Sequence, residues 1–150
     1  MDLKLLESIK SNQPEITKNL LLQGADPLAW YYEDEDEDET NYISTLILAV
    51  KHSPLEILKL LVSTEYERKG ITHGEYFNKI GCMQDAIITA INLNVKDKLN
   101  YLLESAVTYR LINEIDKLLI MNAATKYPEM LEICESKFTS ASNHIRVYKV

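Results

Sequence analysis

The sequence predicts an all-α fold, a solenoid of about four stacked helix-turn-helix hairpins, and two observations predict it. Apolar residues recur at spacings of three and four along most of the chain, which marks one buried face on each helix. A phrase also repeats: Pro14-Glu15-Ile16-Thr17-Lys18-Asn19-Leu20-Leu21-Leu22 returns as Pro54-Leu55-Glu56-Ile57-Leu58-Lys59-Leu60-Leu61-Val62. A chain that repeats itself stacks similar units, each covering a face that its neighbour cannot hide alone. Its 150 residues suffice for one domain with a continuous core.

The elements follow in order. Leu3, Leu5, Leu6 and Ile9, then Ile16, Leu20 and Leu21, mark two short helices. Pro14 suits the first turn of the second, where its missing N–H would have no partner anyway. Gly24 follows the last periodic residue and can take the left-handed turn that ends a helix. The second hairpin pairs Ser44–His52 with a helix opened by Pro54 and closed by Leu61 and Val62. The third pairs Gln84–Leu93 with Lys96–Ser105 around a break at Asn94. The fourth pairs Glu114–Lys126 with Pro128–Lys137.

An acid stands near the start of each second helix, where the positive end of the helix dipole favours it. Glu15 to Glu56 is 56 − 15 = 41 residues, Glu56 to Asp97 is 97 − 56 = 41, and Asp97 to Glu129 is 129 − 97 = 32. Small residues recur seven positions before the first three markers, at Ser8, Ala49 and Ala90, and Ala123 lies six before the fourth. A small side chain there lets the next hairpin approach closely. Leu3–Ile9 is expected to cap the stack at one end and Glu114–Cys134 at the other. Glu132, Glu135 and Lys137 supply the polar outer face that an end unit needs. The repeat domain is therefore expected over 1–137 and a tail over 138–150. The tail is small and polar from Thr139 to Asn143, which suits disorder. Its ending, Ile145 to Val150, alternates like a strand.

These residues resemble the ankyrin repeat. Ser44-Thr45-Leu46-Ile47-Leu48-Ala49-Val50 is similar to that family's opening helix, Leu55-Glu56-Ile57-Leu58-Lys59-Leu60-Leu61 to its second helix, and Gln23-Gly24-Ala25-Asp26-Pro27 to its ending. The likeness covers roughly residues 2–137. The family's spacing is ~33 residues, two of the intervals here are longer by eight, and the Thr-Pro opening is missing. The resemblance implies divergent ankyrin-like hairpins with enlarged connecting fingers; an unrelated helical solenoid is the alternative.

The extra residues fall between hairpins. The first insertion, Leu28–Tyr42, holds Trp30, Tyr31, Tyr32 and the run Glu33-Asp34-Glu35-Asp36-Glu37-Asp38-Glu39. The second, Ser63–Cys82, holds Tyr66, Arg68, Lys69, His73, Tyr76 and Phe77. Insertions in a solenoid map to loops on one side of the stack, commonly the binding side. The acidic run carries the whole net charge of −7: without it 23 − 7 = 16 acids face 16 Lys and Arg. It reads as a solvated loop or as an electrostatic hook for a basic partner. A calcium loop fits poorly, since the run has no Gly for the turn. The aromatic triplet beside it either covers the first hairpin or anchors a partner. Ile47, Ile88 and Met121 occupy matching places on the first helices, as packing between repeats or as an apolar inner groove.

Other classes are not supported. His52, His73 and His144 are far apart and unpaired with Cys or acids at ligand spacing, so neither a metal nor another cofactor is expected. No phosphate loop, nucleophile elbow or zinc-protease element occurs. Cys82 and Cys134 stand alone, which suits a reducing compartment without a disulfide. The N-terminus has no basic region leading into an apolar run, and no apolar stretch approaches the ~20 residues of a membrane span. Basic residues are scattered among acids, against direct nucleic-acid binding.

The expectation is a non-catalytic, intracellular protein-interaction module that holds a protein partner through its fingers and inner groove. Resemblance to small free-standing ankyrin proteins implies the kind that intracellular bacteria and large viruses direct at host proteins. The alternative is an acidic inhibitor that imitates nucleic acid and blocks a nucleic-acid-binding protein.

Overall fold

A computed structural model of the chain describes residues 2–28, 30–32, 42–69, 76–108 and 114–148. Among the described residues eight helices carry the fold: α1 (Asp2–Lys10), α2 (Pro14–Leu22), α3 (Thr45–His52), α4 (Leu55–Lys69), α5 (Tyr76–Leu93), α6 (Lys96–Thr108), α7 (Glu114–Ala124) and α8 (Pro128–Tyr148). One small ribbon, β1 (Trp30–Tyr32) with β2 (Tyr42–Ser44), is the only sheet among the described residues. The all-α class holds, with this ribbon added.

The chain divides into two compact units, residues 1–82 and 83–150. In the first unit α1 packs on α2 and α3 on α4, and the two hairpins meet with α1 against α3 and α2 against α4. In the second unit α8 packs on both α6 and α7. There Gln84 Nε2 of α5 donates to Asp116 Oδ1 of α7 at 3.2 Å.

Burial repeats with the 41-residue step. Leu5, Leu46 and Ile87 are all buried, as are Ile9, Val50 and Ile91 on the next turn. On the second helices the same step links Thr17, Leu58 and Leu99, then Leu20, Leu61 and Leu102, then Leu21, Val62 and Leu103, every one buried. Each fully buried Leu or Ile contributes about 1.5–3 kcal/mol over its exposed state. Ser8, Ala49 and Ala90 are buried too, as their small size suggested.

The turns repeat as well. Asn12 (φ 55°), Gly24 (φ 110°) and Asn94 (φ 59°) take the left-handed conformation. Each ends a helix with the same pair of hydrogen bonds: Asn12 N–H to Ile9 and Gln13 N–H to Ser8, Gly24 to Leu21 and Ala25 to Leu20, Asn94 to Ile91 and Val95 to Ala90. This pairing satisfies the last carbonyls of the helix, and Gly or Asn enters the left-handed region at least cost. Ser53 stands 41 residues from both Asn12 and Asn94, yet its backbone is extended (φ −116°, ψ 159°). Pro54 follows it, and a proline excludes the helical region for the residue before it.

Four expectations change. The second insertion is mostly helix: α4 continues to Lys69 and α5 starts at Tyr76, leaving only 70–75 outside the described residues. No Pro or Gly interrupts 63–69, so elongation adds a hydrogen bond for each residue fixed. The tail expected from 138 onward is not a break, because α8 runs from Pro128 to Tyr148 with Phe138 buried. The strand-like alternation from Ile145 lies in helix as far as Tyr148. Residues 139–148 also lack Pro and Gly and extend a helix already seated by Met130, Cys134 and Phe138. In the fourth hairpin Ala124 is the wholly buried small residue, and Ala123 is half-buried.

Candidate interaction surface

The first insertion begins where the first hairpin ends. After Gly24, the Asp26 carboxylate accepts the Leu28 N–H at 3.1 Å, turning the chain on itself. Thr45 Oγ1, buried at the start of α3, donates to the Pro27 carbonyl at 2.7 Å. The Ser44 hydroxyl accepts the Ile47 N–H at 3.1 Å and caps α3. Both flanks of the insertion are thus tied to one place.

Between them β1 and β2 pair antiparallel in the register Trp30 with Ser44, Tyr31 with Ile43 and Tyr32 with Tyr42. The aromatic triplet is therefore strand, which the sequence reading did not expect. The acidic residues Glu33, Asp34, Glu35, Asp36, Glu37, Asp38 and Glu39 connect the two strands in sequence and lie outside the described residues.

The remaining candidates belong to several elements. Tyr66 and Arg68 belong to the last turns of α4, and Tyr76 is the first residue of α5. Ile47 on α3 and Ile88 on α5 are both half-buried and sit in different units, and Met121 on α7 is half-buried. Beside Ile88, burial raises the carboxyl pKa of the half-buried Asp85 above its ordinary value. The Asp85 backbone carbonyl accepts from Thr89 Oγ1 at 2.7 Å, one turn on.

One surface was missed. Ile115 and Leu118 on α7 are 68% and 70% exposed, and Leu119 is 49% exposed. The buried face of this helix is instead Asp116, Ile120 and Ala124. Lys117 is held near Glu114 at 3.1 Å, with its ammonium 5.8 Å from the centre of the Phe138 ring. Of the residues expected on a polar outer face, Glu132 and Glu135 are exposed on α8 and Lys137 is half-buried, while α7 presents large aliphatic residues. The signal was legible: Ile115, Leu118, Leu119, Ile120 and Met121 fill more of the helix circumference than one buried stripe requires.

No helix is long and apolar enough to cross a membrane among the described residues, and no group of three His, Cys, Asp or Glu is placed to hold a metal ion there. The chain matches no family model, and neither a curated protein nor a solved structure shows significant similarity to it. What the geometry itself defines is a protein of helical hairpins with an aromatic ribbon between the first two.

Proposed function

We propose that this chain is a non-catalytic protein-interaction module with an ankyrin-like scaffold, which holds a basic protein partner through its first finger. The observation that carries the reading is the pairing of Trp30–Tyr32 with Tyr42–Ser44. It joins an aromatic ribbon to a run of seven acids, and it is tied at both ends to helices with buried faces. A paired ribbon has less conformational entropy to lose on binding than an open chain. Aromatic side chains anchor interfaces, and concentrated charge of one sign speeds encounter with the opposite sign. Half-buried Ile47 and Ile88 are compatible with a supporting apolar role.

The test is capture from a cell extract with the native chain and with a chain whose Glu33–Glu39 run is changed to Ser and Gly. Any captured protein is then purified for kinetics. The native chain is expected to retain a basic protein that the variant loses, with an association rate that falls as salt rises. An on-rate indifferent to both the variant and salt would reduce the run to a solvated loop. Retention of nucleic-acid-binding proteins, competed by DNA or RNA, would point to imitation of nucleic acid instead.

A further inference from the structure

We draw no further inference here: the strongest candidate, the exposed aliphatic face of α7 formed by Ile115, Leu118 and Leu119, carries nothing because nothing in the structure shows what covers it.

Discussion

The Ser53 hydroxyl donates to the backbone carbonyl of Ile9 at 2.6 Å, joining the turn of the second hairpin to the last turn of α1 across 44 residues. Ser53 is buried, and its backbone is extended because Pro54 follows. The position that forms a left-handed cap in the first and third hairpins serves here as a tie between hairpins. Ser53→Ala removes the donor and should cost about 1 kcal/mol in urea unfolding. A change within experimental error would mean that the packing of α1 on α3 alone sets the approach of the two hairpins.

The left-handed turns separate backbone strain from packing. Gly24→Ala adds a methyl group that meets no atom within 4 Å, so the expected loss of about 1–2 kcal/mol comes from the positive φ alone. Asn94→Val should cost at least as much, because a branched side chain resists that region further. Asn94→Gly should be nearly neutral. Equal stability of all three variants would show that these turns relax without cost.

Ser8 and Thr17 form a polar link between α1 and α2, their hydroxyls 2.8 Å apart and both residues buried. The Ser8 hydroxyl also lies 2.8 Å from the Leu5 carbonyl, and the Thr17 hydroxyl 3.0 Å from that of Gln13. One 41-residue step on, the same two places hold Ala49 and Leu58, and a further step on, Ala90 and Leu99. Ser8→Ala alone should lose about 1 kcal/mol. The pair Ser8→Ala/Thr17→Val should lose less than the sum of its singles, since neither hydroxyl is then stranded. Strict additivity in that double-mutant cycle would mean the two hydroxyls do not interact.

Small residues on the first helices are expected to be required for size. Ala90 is wholly buried, and Ala90→Leu should destabilise by about 1–3 kcal/mol through overpacking. Leu118→Ala on exposed α7 is the matched control and should stay within about 0.5 kcal/mol. Reversal of that order in thermal melts would put the burial of α5 or the exposure of α7 in the wrong place.

Cys134 supplies a pH-dependent term. Burial, with the charge of Glu135 second, pushes its thiol up from an ordinary 9.0 to about 11. The folded state thus holds the proton more tightly than the unfolded chain. The resulting stabilisation is complete below pH 9.0 and is lost as pH rises through about 11. Melting temperatures measured from pH 8 to 11 should fall more steeply for the native chain than for Cys134→Ala. The native thiol should also resist alkylation at neutral pH, since the thiolate is the reactive form. Rapid labelling of folded protein at pH 7 would contradict that burial.

Local chemistry alone determined most of the helical framework. Pro14 and Pro128 open helices, Gly24 and Asn94 close them, and Glu15, Glu56 and Asp97 mark first turns, because each acts through its own backbone or dipole within one turn of the chain. The 41-residue step was legible for a related reason: a buried face needs an apolar residue every three or four positions, whatever its neighbour is. Three features needed the tertiary structure. Trp30–Tyr32 became a strand only through its partner Tyr42–Ser44, and a pairing between distant segments leaves no local signature as strong as helical periodicity. Ser53 reached Ile9 only because α1 and α3 are packed side by side. On α7 the sequence offers two adjacent apolar faces, and periodicity cannot rank them. Packing against its neighbours, α8 among them, buries Asp116, Ile120 and Ala124 and leaves Ile115, Leu118 and Leu119 exposed.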